Sequence, residues 1–188
     1  MPASSWFAPL AVIALLAAPA PAGGAGESGV PADSLVRPSV GAEERAASDS
    51  LPRPAPDFIL PDLDGVPRRF LGFPGRVHLL VYWSPDCPEC VREMPRLAKL
   101  YARDRERGLA VVSVTSSQTR EKAVVFAKEK SLGFPVLLDE RGRVVRLYTV
   151  RMTPTVCLVR GGQIVYRHAG FDPAVADSLE PAVEALLR

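Results

Sequence analysis

The chain has 188 residues, a length that predicts one globular domain with some excess, and its 47% hydrophobic content is enough for a buried core. Its 23 Lys and Arg residues against 21 Asp and Glu residues give a net charge of +2, with the two signs interspersed. This pattern excludes the clustered basic surface that nucleic-acid-binding proteins carry, so we expect no nucleic-acid partner.

An apolar stretch from Leu10 to Ala18 is followed by two small-x-small triplets of the kind that precede signal cleavage. It is shorter than the roughly 20 apolar residues that a transmembrane helix needs. Residues 1–22 are therefore predicted to be a signal peptide, or a weak membrane anchor if retained, although no Lys or Arg precedes Arg37. Residues 23–53, rich in Pro, Ala and Gly, are predicted to be a disordered tether. The folded domain, residues 54–188, would then be exported to a periplasmic or other extracytoplasmic compartment.

The domain is predicted to open with a β-hairpin, in which a short strand over residues 57–60 and a turn at Asp64-Gly65 lead to a partner strand over residues 68–71. We expect these to be edge strands. The near-continuous apolar run from Val77 to Trp83 then predicts a central strand that is covered on both faces.

Two cysteines, Cys87 and Cys90, follow this strand with C-x-x-C spacing and open a predicted helix that ends near Gly108. The apolar stripe of that helix is formed by Cys90, Met94, Leu97 and Tyr101. A thiolate at a helix N-terminus is stabilised by unpaired N–H groups and by the helix dipole, so the pKa of such a thiol falls below its ordinary value of about 8.5. Two thiols at this spacing can also close a disulfide. The segment therefore predicts thiol-disulfide chemistry.

The rest of the chain alternates between strand and helix patterns, which predicts parallel crossover units and an α/β fold. The predicted strands cover residues 109–115, 134–138, 155–159 and 163–167. The predicted helices cover residues 120–130 and 173–187, and residues 144–148 are predicted to form a short helix or turn. The first of these helices is expected to bury Val124, Ala127 and either Val125 or Phe126, and the last to bury Val175, Leu179, Ala182 and Leu186. Arginines 103, 105 and 107 alternate with acids 104 and 106, which predicts a solvated helix end.

The segment 83–90, placed after an apolar strand, resembles the active-site segment of the thioredoxin superfamily, and residues 152–155 resemble its cis-proline loop. More narrowly, the chain is similar to TlpA/ResA-like thiol-disulfide oxidoreductases, which are exported and often membrane-tethered. That similarity is carried by residues 58–65, 87–95 and 133–139. The resemblance implies a thioredoxin-like fold over about residues 54–188, with a central mixed β-sheet flanked by helices and the hairpin as an N-terminal extension.

The position of the two cysteines on the helix predicts their roles. Cys87, at the helix start, is expected to attack a partner disulfide, and Cys90, one turn inside, to resolve the mixed disulfide. Trp83 and Pro85 are expected to form an apolar rim around the attacking thiol.

The resemblance adds an opposite wall and a proton acceptor. It implies that Pro154 is a cis-proline, which would turn the Thr153 backbone toward the cysteines, where it could pair with an extended substrate. Thioredoxin carries a buried aspartate six residues before its first active-site cysteine, and Val81 stands there in this chain. TlpA/ResA-like proteins instead have a glutamate three residues after the second cysteine, and Glu93 matches it. On a helix Glu93 shares a face with Cys90, so it is the candidate acceptor of the Cys90 proton, with a solvated first-turn acid as the alternative.

The leading functional prediction is a protein-disulfide reductase that works through a Cys87-Cys90 dithiol/disulfide cycle on other exported proteins. The haem-attachment cysteines of apocytochrome c are the substrate class that the resemblance suggests, which would place the protein in cytochrome c biogenesis. Glu89 puts a negative charge near the Cys87 thiolate and favours a reducing pair, unless solvent screens it. We expect an upstream membrane or exported thiol reductant to recharge the protein, and we expect a monomer without a cofactor.

Two alternative functions stay open. A thiol peroxidase would share the fold class, and Ser84 lies three residues before Cys87, although Leu80 stands where a proline is expected. A Cu(I)-binding module for cuproprotein assembly would use Cys87 and Cys90 as soft ligands.

The remaining cysteine and the two histidines have less specific surroundings. Cys157 lies in an apolar strand and is predicted to be a buried, inert thiol, with a regulatory thiol as the alternative. His78 and His168 are interpreted as structural or surface residues. Neither has a second ligand type at metal spacing, so no metal site is predicted.

Overall fold

The computed structural model describes residues 50–170 and 173–188, with no account of the side chains of residue 117 and residues 173–177. The predicted leader, residues 1–22, and almost all of the predicted tether lie outside the described residues. Among the helices that the structure does describe, none is long and apolar enough to cross a membrane.

The described residues contain eight strands and four α-helices. The strands are β1 (Arg53–Pro54), β2 (Ile59–Pro61), β3 (Pro67–Arg69), β4 (Val77–Tyr82), β5 (Leu109–Thr115), β6 (Val136–Leu138), β7 (Thr155–Arg160) and β8 (Gln163–Ala169). The helices are α1 (Pro88–Asp104), α2 (Arg120–Glu129), α3 (Arg143–Leu147) and α4 (Pro173–Leu187). Short 3₁₀ segments lie at Phe70–Gly72, Arg105–Arg107 and Ser117–Thr119.

Six of the strands form one mixed sheet in the order β1-β8-β7-β4-β5-β6. β4 runs parallel to β5, and β5 parallel to β6, because α1 and α2 provide the crossover connections. β7 pairs antiparallel with β4, and β8 with β7. The predicted mixed sheet flanked by helices is therefore confirmed, and β4 lies between β7 and β5 with all six of its residues buried.

Successive side chains of β4 point to opposite faces of the sheet, and the core accordingly has two layers, one on each face. Leu79 and Val81 belong to the layer that includes Met94 of α1 and Val183 of α4. Leu80 belongs to the opposite layer, whose aromatic members are Phe58, Phe70, Tyr82 and Tyr148. α1, which follows Cys87 and contains Cys90, therefore packs against one face of the sheet.

The predicted N-terminal hairpin is confirmed, but β2 and β3 form a two-stranded sheet of their own instead of edge strands of the central sheet. In the turn, the Asp62 N–H donates to the Val66 carbonyl at 2.9 Å, and Gly65 adopts a φ of +83°, which glycine tolerates without strain. The stacked rings of Phe58 and Phe70, with centroids 5.0 Å apart, hold the hairpin on the core.

Two predicted helix faces differ from the observed ones. α2 buries Ala123 and Phe126, whereas Val124 and Val125 are 37% and 54% exposed. α4 buries Leu179 as predicted, but Val183 and Leu187 take the buried positions expected of Ala182 and Leu186, which are half-buried. Val175 lies where side chains are not described. The sequences of these Ala- and Val-rich helices are compatible with more than one apolar face. Packing against the rest of the domain determines which face is buried.

The arginine-rich end of α1 is not the solvated helix end that the sequence predicted. Asp104 is fully buried, and its carboxylate accepts hydrogen bonds from Arg103 at 2.8 Å and Arg107 at 2.7 Å. These arginines also pair with Glu180 and Glu184 of α4. Burial would raise the pKa of Asp104, but the two guanidinium groups outweigh it and hold the pKa below the ordinary value.

Candidate active site

β4 delivers the chain to the N-terminus of α1, where Cys87 is the N-cap residue. Pro88 occupies the first helical position, which suits its fixed φ and missing N–H group. The Cys87 sulfur accepts a hydrogen bond from the Cys90 backbone N–H at 3.2 Å. The sulfur therefore sits at the positive end of the helix, where negative charge is stabilised.

Cys87 and Cys90 form a disulfide, with their Cα atoms 5.2 Å apart. Cys90 is fully buried beneath the helix, whereas Cys87 is only half-buried. A thiol partner approaching from solvent can therefore reach the Cys87 sulfur first.

The loop before β7 forms the opposite wall of the site. The Cys87 sulfur lies 3.6 Å from the Thr153 carbonyl oxygen, although the two residues are 66 positions apart in the chain. The Thr153–Pro154 peptide bond is cis, and Pro154 is buried. The Pro154 carbonyl accepts from the Gly170 N–H at 2.7 Å, which fixes this loop to the end of β8.

Two glutamates of α1, Glu89 and Glu93, lie in the first two turns of the helix in different environments. A carboxylate oxygen of Glu89 lies 3.7 Å from the Cys87 sulfur, and the same side chain faces Arg92 at 3.7 Å. Glu93 is half-buried, one turn beyond Cys90, and makes no hydrogen bond or ion pair with any residue that the structure describes. Its carboxylate is thus available to exchange a proton.

Trp83 is not part of an exposed rim, which corrects the sequence prediction. It is fully buried in the core layer that contains Cys90, with its ring centroid 5.1 Å from that of Phe126. The reason is the alternation of β4, which turns Trp83 to the same covered face as Val81. The indole N–H has no hydrogen-bond partner among the described residues. Pro85, in contrast, is half-buried and reaches the surface beside Cys87.

One contact at the site was not predicted. The Lys122 ammonium lies 2.5 Å from the Asp86 carboxylate, which joins the turn before Cys87 to α2 across 36 positions of sequence. Both residues are exposed, and nothing in the local sequence of either one indicates the pairing.

The third cysteine and both histidines lie away from this arrangement. Cys157 is 1% exposed, and burial raises the pKa of its thiol to about 11. His78 Nε2 lies 2.9 Å from the Phe73 carbonyl oxygen. The buried Nε2 of His168 has no hydrogen-bond partner in the described part of the chain. No group of three or more His, Cys, Asp or Glu residues that could hold a metal ion occurs within residues 50–170 and 173–188.

Comparison with known proteins adds a family to this geometry. Residues 51–168 match the model of the AhpC/TSA family. The thiol-disulfide oxidoreductase ResA of Halalkalibacterium halodurans is 32% identical over 117 residues, a match that spans 62% of this chain and 66% of that relative.

Solved structures resemble the described fold as well. A crystal structure from Chlorobium tepidum, assigned as the thiol:disulfide interchange protein DsbE, is 31% identical with a TM-score of 0.67 and is covered over 97% of its length, against 73% of this chain. The thioredoxin domain of a thiol-disulfide oxidoreductase from Bacteroides vulgatus shares the fold at 24% identity and a TM-score of 0.64, over 72% of this chain and 96% of that one. The architecture is therefore thioredoxin-like.

Proposed function

The chain is a thioredoxin-like thiol-disulfide oxidoreductase that belongs to the AhpC/TSA family, and from this premise we propose that it reduces disulfides of other exported proteins. The observation that carries the proposal is the unequal exposure of its two thiols: Cys87 is open to a partner, and Cys90 is fully buried. Because of this difference in exposure, Cys87 would attack the partner first and Cys90 second.

In the first step the Cys87 thiolate attacks one sulfur of a partner disulfide. A Cys87–partner disulfide forms, the partner's S–S bond breaks, and one partner thiolate leaves. The position of the Cys87 sulfur at the N-cap of α1, with the Cys90 N–H donating to it, supports its role as the thiolate in this step.

In the second step Cys90 attacks the Cys87 sulfur and releases the second partner thiolate. The net reaction moves two electrons and two protons from the Cys87-Cys90 dithiol to the partner. Cys90 must lose its proton before it attacks, and we assign Glu93 as the acceptor. Its half-buried carboxylate, one helical turn away and without a competing partner among the described residues, supports this role.

The partner segment would lie against the loop that carries Thr153 and Pro154. The Thr153 carbonyl, 3.6 Å from the Cys87 sulfur, is an acceptor that could pair with the N–H groups of an extended partner chain. Pro85 would supply an apolar contact on the other side of the thiol. Trp83, which is buried, would support the site from within the core.

The setting of the reaction is also proposed. Residues 1–22 would export the domain, or anchor it weakly if they are retained, and residues 23–53 would serve as its tether. The similarity to ResA makes apocytochrome c a substrate candidate, with an upstream membrane or exported thiol reductant restoring the dithiol. The charge of Glu89, 3.7 Å from the Cys87 sulfur, disfavours the thiolate and supports a reducing task.

Two cysteine variants test the cycle. Cys87→Ser should lose the reduction of insulin disulfides, and Cys90→Ser should accumulate a mixed disulfide through Cys87 that reducing agents release. A fully active Cys87→Ser protein, together with a Cys90→Ser protein that captures nothing, would refute the mechanism. The reduction potential of the Cys87-Cys90 couple decides the direction: a value near the thioredoxin value of about −270 mV supports a reductant, and one near the DsbA value of about −120 mV an oxidant.

The same preparation distinguishes the alternative functions. A thiol peroxidase would consume peroxide at a rate that does not depend on a reductant for the Cys87-Cys90 disulfide. A Cu(I) module would bind one equivalent of Cu(I) tightly and show no insulin reductase activity. Reduction of insulin without either behaviour supports the proposed oxidoreductase.

A further inference from the structure

A groove beside the attacking cysteine has an unusual lining. It has a volume of about 440 Å³ and lies between the active-site turn and α2. Its lining residues are Pro85, Glu121, Lys122, Val125, Phe126 and Glu129. We call it the α2 groove. Pro85 is two residues before Cys87, and the Asp86–Lys122 ion pair joins the turn to α2, so the groove adjoins the turn that leads to the thiol.

The apolar part of this groove includes a solvent-exposed position of α2. Solvent-exposed positions of a surface helix are normally polar. Val125 is 54% exposed and lines the groove together with the half-buried Pro85 and the buried Phe126. An isolated exposed valine needs no explanation, but one that continues an apolar surface next to a reactive thiol offers contact area to a partner.

The charged part of the groove is acidic. Glu121, Val125 and Glu129 follow one another at i, i+4 and i+8, so they form one stripe along α2. Neither glutamate has an ion pair or hydrogen bond with a residue that the structure describes, whereas Lys122 is already paired with Asp86. Lys128 is exposed but does not line the groove. Lys130 is also exposed and also lies outside the lining. Among the residues that line the groove, the charges without a described partner are therefore the two carboxylates on either side of Val125.

From this arrangement we propose that the α2 groove is a docking surface for a protein partner whose segment carries an apolar residue between two basic residues. The proposal rests on the proposed function, since the partner is the protein whose disulfide is reduced. It adds to that function a site outside the Thr153 loop and a charge preference.

The spacing of the stripe defines the segment. Eight residues of α-helix separate the Cα atoms of Glu121 and Glu129 by about 12 Å. Four residues of extended chain cover about 13 Å, and residues i, i+2 and i+4 of such a chain point to the same side. The matching partner is therefore a five-residue extended segment. Its first and fifth residues are basic and face the two carboxylates, its third residue is apolar and faces Val125, and its second and fourth residues are unrestricted.

Synthetic peptides test this preference directly. Each peptide carries one cysteine, which is linked as a mixed disulfide to thionitrobenzoate. A five-residue arm is placed on either the N-terminal or the C-terminal side of this cysteine. A linker of two, four or six Gly and Ser residues separates the arm from the cysteine. The arms are Lys-Ser-Leu-Ser-Lys, Glu-Ser-Leu-Ser-Glu and Lys-Ser-Ser-Ser-Lys. The reduced protein releases the coloured thionitrobenzoate as it transfers two electrons to the peptide disulfide, and the second-order rate constant is measured by absorbance.

At low salt the Lys-Ser-Leu-Ser-Lys arm should react about tenfold faster than the Glu-Ser-Leu-Ser-Glu arm at the best spacing, because complementary charges steer association. About 1 M salt should remove most of that difference, since it shortens the screening length to roughly 3 Å. Replacing the leucine by serine should slow the basic peptide as well.

Variants assign the preference to the groove. The double variant Glu121→Gln, Glu129→Gln should bring the ratio of the two rate constants close to one, and Glu121→Lys, Glu129→Lys should invert it. Glu140→Gln, an exposed acid that follows β6 and does not line the groove, is the matched control and should keep the wild-type ratio. A ratio is a suitable readout because impaired folding or redox chemistry would slow both peptides together.

The outcomes separate this inference from the proposed function. If no peptide is reduced, the proposed oxidoreductase cycle fails. If all arms react equally at every spacing, the cycle stands and the docking surface is overturned. If the preference disappears at high protein concentration and sedimentation shows a dimer that Val125→Asp abolishes, a second copy of the chain occupies the groove and the inference is likewise overturned.

Discussion

The sulfur of Cys87 lies 3.6 Å from the carbonyl oxygen of Thr153, so the attacking thiol and the main chain that would receive its partner share one edge of the site. Cys90 lies on the covered side of the same helix turn and is fully buried. The two sulfurs of the site therefore differ in their access to solvent, and the roles proposed for Cys87, Cys90 and Glu93 can be tested separately.

Iodoacetamide should distinguish the three thiols of the reduced, folded protein. Cys87 is half-buried at a helix N-terminus, so its thiolate should react at least about tenfold faster than Cys90 or Cys157. Cys157 is 1% exposed, and burial raises the pKa of its thiol to about 11, so it should stay unmodified even at pH 9. Mass spectrometry of digested samples over time measures the three rates. Labelling of Cys157 at a rate comparable to Cys87 would contradict the described burial.

Replacing Glu93 by Gln should slow the resolving step without blocking the first attack. The amide keeps the shape of the side chain but cannot accept the Cys90 proton, so resolution should slow by about 10- to 100-fold and the mixed disulfide should accumulate. Quenched-flow trapping of that intermediate provides the measurement. Glu93→Asp should restore part of the rate. An unchanged resolution rate would favour the solvated-acid interpretation.

Replacing Asp104 by Asn should destabilise the fold more than the corresponding replacement of an exposed acid. Its buried carboxylate binds two guanidinium groups, and the amide would leave both arginines without that charge, at an expected cost of about 2–4 kcal/mol in the free energy of unfolding. Glu106→Gln is the control: its side chain is 86% exposed and pairs only at 3.7 Å, so the change should stay within about 0.5 kcal/mol. Urea unfolding followed by circular dichroism tests both variants.

The same carboxylates should set the acid limit of stability. Burial opposes ionisation of Asp104, but its arginine partners prevail and lower its pKa, and hydrogen bonds from Arg96 and Arg103 lower the pKa of Glu180. A lowered folded-state pKa contributes stability above the unfolded value, which for Asp is 3.8, and that stability is lost as pH falls through the folded pKa. The free energy of unfolding should thus be level from pH 7 to about pH 5 and fall below about pH 4.

Two variants check the origin of that fall. Asp104→Asn should show a shallower loss below about pH 4, because one of the coupled carboxylates is gone. Glu106→Gln should run parallel to the wild type. A wild-type curve that is flat down to pH 2, or an Asp104→Asn curve parallel to it, would show that the network does not titrate on unfolding.

The elements that the sequence predicted well are those with a single dominant signal. The apolar run of β4 and the C-x-x-C pair at the start of α1 are two such elements. The hairpin was recognised for the same reason, since Asp64-Gly65 suits its turn.

The predictions that failed depended on packing between distant segments. Asp104 looks like a solvated acid among arginines until α4 brings Glu180 and Glu184 to the outer sides of those arginines. Trp83 looks like part of the active-site motif, but Phe126 of α2 covers it. The two-residue strand β1 carries no strand pattern at all, because only its pairing with β8 defines it.

That short strand also defines the direction in which the chain enters the sheet. Arg53 and Pro54 lie beside Ile164 and Gln163, at the end of the sheet where Arg160 pairs with Val77. The thiols follow Tyr82 at the opposite end of β4, about 20 Å away along six residues of strand. Because β1 is antiparallel to β8, and β8 is parallel to β4, the chain passes through Arg53 and Pro54 in the direction that leads away from the thiol end of the sheet.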